Sequence, residues 1–163
     1  MKILMVCLGN ICRSPLAEGI LQHKAWQAGL QWTVESAGTG TWHIGQPPHH
    51  FSQKIATMNG IDISRQRCRQ FRKEDMLRFD LIYVMDENNY DDIKMMSREL
   101  WNENKVDFLL NELYPGESRN VPDPCSGTES DYHEVFKMIE EACDKIIEKY
   151  SIHNIQHSIL KQN

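Results

Sequence analysis

The sequence is most informative at first for what it does not contain. It has no Gly-x-x-x-x-Gly-Lys-Ser/Thr nucleotide loop, and Gly38-Thr39-Gly40 lacks the third glycine that a dinucleotide fingerprint requires at its proper spacing. It has no Cys-x-x-Cys pair. Its five cysteines, at 7, 12, 68, 125 and 143, form an odd and scattered set that suits neither a disulfide framework nor a standard zinc site. A reducing, cytoplasmic setting is the expectation. His43, His49 and His50 lie in a Pro-containing stretch without paired cysteines or acidic ligand spacing, so they read as a loop and no metal is expected. Positive charge is scarce: 18 Lys and Arg against 23 Asp and Glu give a net charge of -5, which argues against nucleic acid or an acidic membrane as the main partner. No window approaches the roughly 18 apolar residues of a membrane span, and no basic segment followed by an apolar run and a cleavage site opens the chain.

What is present is enough for one domain. With 163 residues, 40% hydrophobic, the chain can bury a single core, and residues 1–151 are expected to form it, with 152–163 as a frayed C-terminal tail. Lys2 to Cys7 is a nearly continuous apolar run, the pattern of a strand buried on both faces of a parallel sheet. Pro15 sits where a helix would begin, Leu16, Ala17, Ile20 and Leu21 supply its apolar stripe, and Gly29 stops it. Further strands are expected at Trp32–Ser36, Phe79–Met85 and Val106–Leu110, and further helices at Phe51–Met58, Glu87–Met96 and about Asp131–Tyr150, with a helical turn near Lys73–Leu77. Strands alternating with helices define an α/β class, a four-stranded parallel sheet with helices on both faces in the flavodoxin-like manner.

In such sheets ligands bind beyond the carboxyl ends of the strands, and the first strand delivers Cys7 to that edge just before a helix N-terminus. Inward-pointing loop amides and the helix dipole make a cradle for a phosphate dianion, and the same field favours a thiolate. Arg13, six residues after Cys7, can grip two phosphoryl oxygens with its planar guanidinium, which lysine cannot do. A buried core cysteine would explain Cys7 equally well if Cys-x5-Arg stood alone.

It does not stand alone. Val6-Cys7-Leu8-Gly9-Asn10-Ile11-Cys12-Arg13-Ser14-Pro15 resembles the signature loop of the low-molecular-weight protein tyrosine phosphatases. The similarity extends to Ser36-Ala37-Gly38-Thr39, to Trp42, Gly45 and Pro47-Pro48, to Gly60-Ile61, to Phe79-Asp80 with Met85-Asp86-Glu87-Asn88, and to Val121-Pro122-Asp123-Pro124 with Gly127. The resemblance implies Cys7 as nucleophile, Arg13 as phosphate clamp and Asp123 as the acid that protonates the leaving phenolate and then activates water. It implies that Leu8 to Arg13 bind phosphate, that Asn10, Ser14 and Ser36 support the loop, and that Cys12 is the partner of Cys7 in a reversible disulfide. It also implies phosphotyrosine proteins as substrates, no cofactor, and a monomer or weakly associating chain.

Three positions depart from the pattern. Aromatics usually follow the Asp-Pro of the acid loop, whereas this chain reads Cys125-Ser126, which leaves Ile11 and Trp42, with Leu8, to form the substrate cleft beside that pair. Where relatives carry a histidine in the loop-supporting network, the chain offers Gln66. Three alternatives share the residues: a thioredoxin-coupled arsenate reductase, which needs a relay of closely spaced cysteines; a protein-arginine phosphatase, which carries threonine at the position of Ile11; and a non-catalytic phosphotyrosine-binding module.

Overall fold

The computed structural model describes residues 1–160, with side chains through Ile152. Four strands, β1 (Lys2–Cys7), β2 (Thr33–Gly38), β3 (Leu81–Val84) and β4 (Val106–Phe108), form one parallel sheet in the order β2-β1-β3-β4. Around it lie α1 (Arg13–Gln27), α2 (His50–Met58), α3 (Asp75–Arg78), α4 (Glu87–Ser97) and α5 (Glu129–Leu160). The expected α/β architecture is the one observed. Strand ends differ from expectation where the backbone runs past the apolar residues: β2 extends to Gly38, and β3 and β4 are shorter than their apolar runs because Phe79, Met85 and Leu110 pack in the core from outside the ladder.

Alternation along β1 explains why its run is apolar throughout. Ile3, Met5 and Cys7 face a core built with α1 and α5, while Leu4 and Val6 face a second core with Phe71, Met76, Phe79 and Ile93. Every residue from Ile3 to Cys7 is buried. The final helix is longer than its apolar stripe suggested. It starts at Glu129 and continues to Leu160, so the segment from 152, expected as a frayed tail, is helical as far as it is described. The rest of that expected tail, residues 161–163, lies outside the described residues.

The sheet order places β1 and β3 side by side at its centre, with Val6 aligned to Val84, and aligns Cys7 with Gly38 of β2 on the other side. The chain leaves β1 toward β2 and later returns to the opposite flank through β3. That reversal opens a crevice at the carboxyl ends of β1 and β3, the switch point where parallel α/β sheets take ligands.

Candidate active site

Cys7 ends β1, and residues 8–12 turn tightly before α1 begins at Arg13. The turn is possible because Asn10 takes a left-handed backbone, φ 54°, a region that asparagine tolerates better than most side chains. The same residue braces the loop. Its Nδ2 donates to Ser14 Oγ at 2.8 Å and to Ser36 Oγ at 2.9 Å, and its Oδ1 accepts the Arg69 amide at 3.0 Å. Its own amide points at Cys7 Sγ, 3.2 Å away, and Ser14 Oγ lies 3.0 Å from that sulfur on another side. With Asn10 donating to Ser14, the Ser14 hydroxyl is free to donate to the sulfur, so the nucleophile position holds two donors suited to a thiolate.

The loop is also supported from behind. Thr39 N–H donates to Cys7 O at 3.0 Å and Gly40 N–H to Leu8 O at 2.9 Å. Gly38 has no room for a side chain: a Cβ there would stand 2.8 Å from Leu8 O and 3.0 Å from Asn10 Cβ. Cys68 Sγ donates to Gly9 O at 3.1 Å, and burial, with the charge of Cys7 nearby, pushes its thiol up to about 11, so it serves as a neutral donor.

Arg13 is buried and aimed by two partners. Its Nη1 donates to Asp86 Oδ2 at 2.7 Å and to Val121 O at 2.9 Å, while Nη2 lies 3.5 Å from Asp123 Oδ2. Asp86 follows β3 and caps α4 through its other oxygen, which accepts Asn89 N–H at 2.8 Å. One carboxylate thus ties the helix start to the guanidinium across the crevice. Asp123 is partly exposed and accepts the Cys125 amide on Oδ1 at 3.0 Å.

The structure therefore gathers Cys7, Asn10, Arg13, Ser14, Ser36 and Asp123 around one crevice. Ile11 and Leu8 lie on the loop itself, Leu8 exposed, and Trp42 is exposed with its indole lying over Gly40. Cys12 has a different partner from the one the resemblance implied. It is joined by a disulfide to Cys125, Cα to Cα 6.3 Å, and Cys7 is a free thiol. Gln66 does not reach the loop-supporting set; its Nε2 donates to Pro15 O at 3.1 Å. The group that does reach Ser36 is Glu18, which accepts from Ser36 Oγ at 2.5 Å and whose carboxyl is raised to about 7, mainly by burial.

Among the contributors that escaped the sequence reading are Asp86, the Val121 carbonyl, Glu18, Cys68, the Arg69 amide and Tyr132. Glu18 left a usable signal, since it sits four residues after Ser14 on the same helix and so on the same face. Asp86 left another, an acidic cap directly after a strand at the ligand edge. Tyr132 left none; it reaches in from α5 to donate to Cys12 Sγ at 3.3 Å and stacks on His49 with centroids 5.2 Å apart. His49 belongs to that aromatic group and caps α2, and among the described residues no cluster of three or more His, Cys, Asp or Glu could hold a metal.

A thiol backed by hydroxyl and amide donors, followed by a buried arginine at the switch point of a parallel sheet, defines the class of thiol-dependent oxyanion-binding enzymes. The chain belongs to the low molecular weight phosphotyrosine protein phosphatase family, whose model matches residues 2–157. It is 36% identical over 148 residues to the low molecular weight protein-tyrosine-phosphatase YfkJ of Bacillus subtilis, covering 90% of this chain and 93% of that one. To the human low molecular weight phosphotyrosine protein phosphatase it is 35% identical over 150 residues, 91% and 94% of the two chains. The crystal structure of YfkJ superposes with a TM-score of 0.86 at 34% identity, covering 94% and 96%. A Drosophila arginine phosphatase superposes with a TM-score of 0.85 at 30% identity, covering 92% and 98%.

Proposed function

We propose that this protein hydrolyses phosphotyrosine in proteins through a cysteinyl-phosphate intermediate. The observation that carries the reading is the convergence on one crevice of the Cys7 sulfur with its two donors, the Arg13 guanidinium and the Asp123 carboxyl. Phosphate seats on the amides of residues 8–13, and Nε and Nη2 of Arg13 grip two of its oxygens, while Nη1 is spent on Asp86 and the Val121 carbonyl, which hold the guanidinium in orientation. Cys7 Sγ attacks phosphorus and the phenolate leaves, taking a proton from Asp123. The Asp123 carboxylate then removes a proton from a water that attacks the phosphocysteine, and phosphate and the free thiolate are restored.

Ile11 favours an aromatic leaving group because it offers apolar surface where a threonine hydroxyl would hold water, and Trp42 adds a second apolar face. The family and the named relatives favour the phosphatase over the arsenate-reductase reading. The proposed partner is a phosphotyrosine protein in the cytoplasm, met by a monomeric or weakly associating enzyme. Neither nucleic acid nor membrane is assigned, in keeping with the acidic net charge and with no helix among the described residues being long and apolar enough to span a bilayer.

Turnover of a phosphotyrosine peptide by the wild type, Cys7→Ser and Asp123→Ala tests the reading. Loss of activity in Cys7→Ser and a drop of roughly 10²–10⁴-fold in Asp123→Ala are expected. Wild-type turnover by Cys7→Ser would end it. Faster hydrolysis of phosphoarginine than of phosphotyrosine would transfer the assignment to arginine.

A further inference from the structure

Cys125 stands where an aromatic wall was expected, and its sulfur is bonded to Cys12 inside the phosphate loop. The two residues are far apart in sequence and meet because two different carboxyl-edge loops meet. Val121 fixes the start of the acid loop, its carbonyl on Arg13 and its amide on Met85 O at 2.7 Å. Asp123 follows, beside Arg13, with one oxygen held by the Cys125 amide. The bridge therefore anchors the far side of the turn that carries the acid. Besides the bridge, Asp123 and the residues after it are held by the Val121 anchor, by the 3.5 Å Arg13–Asp123 ion pair and by the turn into α5, where Gly127 N–H donates to Pro124 O at 2.9 Å.

The environments of the two sulfurs differ. Cys12 is buried, 2% exposed, under the Tyr132 hydroxyl. Cys125 is on the surface. An oxidant and a reductant can thus reach the pair from the Cys125 side while the Cys12 sulfur stays protected.

We propose that Cys12 and Cys125 form a reversible redox bridge that pins the Asp123 loop to the phosphate loop and, by engaging Cys12, leaves Cys7 as a free thiol under oxidising conditions. The inference rests on the phosphatase reading for its consequence, though not for the bridge. A peroxide supplies the oxidation. The Cys125 thiolate attacks one peroxide oxygen, the O–O bond breaks, and Cys125 becomes a sulfenic acid as water or an alcohol departs. The Cys12 thiol then attacks that sulfur, the S–S bond forms, and the sulfenic oxygen leaves as water with the thiol's proton. A dithiol reverses the state: one of its thiolates attacks the sulfur of Cys125, the exposed residue of the pair, and releases Cys12, and its second thiol displaces Cys125 as a cyclic disulfide forms. If instead Cys7 is oxidised first to a sulfenic acid, the Cys12 thiol attacks the Cys7 sulfur and the sulfenic oxygen leaves as water; the Cys125 thiolate then attacks the Cys12 sulfur, forming the Cys12–Cys125 bond and expelling Cys7 as the thiolate.

Non-reducing peptide mapping of the full chain after treatment with hydrogen peroxide is the direct test, because it reads the pairing whether or not the protein is a phosphatase. A Cys12–Cys125 cross-linked peptide, with Cys7 still open to iodoacetate, is expected. A Cys7–Cys12 cross-link as the main product, or no cross-link, overturns the proposal. The functional consequence is read separately as the fraction of aryl-phosphatase activity each protein keeps after the same peroxide dose, relative to its own reduced form. Wild type is expected to keep at least threefold more than Cys125→Ser, with dithiothreitol restoring the lost activity of the variant. A smaller difference means that the bridge does not shield Cys7 and overturns that part, while an absence of activity in every reduced protein would instead count against the phosphatase reading.

Discussion

Arg13 Nη1 and Asp86 Oδ2, 2.7 Å apart, join the helix after β1 to the turn after β3 across the crevice at the centre of the sheet. Asp86 does two jobs at once, since its other oxygen caps α4. Asp86→Asn separates them, because asparagine caps a helix nearly as well but cannot neutralise the guanidinium. The variant should melt within a few degrees of wild type and lose roughly 10–100-fold in kcat/KM on an aryl phosphate, the usual scale for a residue that orients a charged catalytic group. Unchanged kcat/KM would show that Val121 O alone suffices to aim Arg13.

Glu18 gives the protein a specific dependence on pH. Its carboxyl titrates near 7 in the folded chain against an ordinary value of 4.5, mainly because it is buried. The unfolded chain therefore ionises it first. Its contribution to stability is fully present below pH 4.5, declines as pH rises toward 7, and is absent above. The difference between those values is worth up to about 3 kcal/mol at about 1.36 kcal/mol per pH unit. Glu18→Gln, which keeps an acceptor for Ser36, should flatten that decline and be the more stable protein at pH 8. Denaturant titrations at pH 5 and pH 8 read it, and equal pH slopes for the two proteins would contradict it.

The loop tolerates nothing behind Gly38. A Cβ at that position would press on Leu8 O and Asn10 Cβ, both part of the turn and unable to swing away. Gly38→Ala should cost about 1–3 kcal/mol, the range for an overpacked site, and at least tenfold in turnover. Retained wild-type activity would mean that the phosphate loop shifts as a unit without harm.

Asn10 combines an unusual backbone angle with a bracing side chain, and two substitutions tell them apart. Glycine relieves the left-handed backbone but removes the bonds to Ser14, Ser36 and the Arg69 amide, while alanine removes the bonds and keeps the strain. If the braces matter most, both variants lose activity to a similar degree, about 10–100-fold. Alanine should be the less stable by about 1 kcal/mol, measured by thermal melting. Near-normal turnover in Asn10→Gly would reduce the residue's role to its backbone.

The architecture was legible because its signals are local. A run buried on both faces can hardly be anything but a central parallel strand, and Pro15 with the stripe from Leu16 to Leu21 marks its helix without help from elsewhere. The phosphate loop was legible for the same reason: Cys7, Asn10, Arg13 and Ser14 lie within eight residues, and one turn between a strand and a helix brings them together. Strand ends and the reach of α5 were less clear, since packing by residues such as Met85 and Leu110 continues the apolar pattern past the hydrogen-bonded ladder.

By itself the sequence determined the sheet, the loop and the identities of thiol and guanidinium, because these depend on neighbours along the chain. Only the tertiary structure decided what stands behind and beside them. Asp86 reaches Arg13, Glu18 rather than Gln66 reaches Ser36, and Cys12 pairs with Cys125 rather than Cys7. The Arg13–Asp86 and Cys12–Cys125 contacts join loops that leave different elements, and the path of the chain between them, 73 residues from Arg13 to Asp86 and 113 from Cys12 to Cys125, carries no local pattern that announces where its ends will meet.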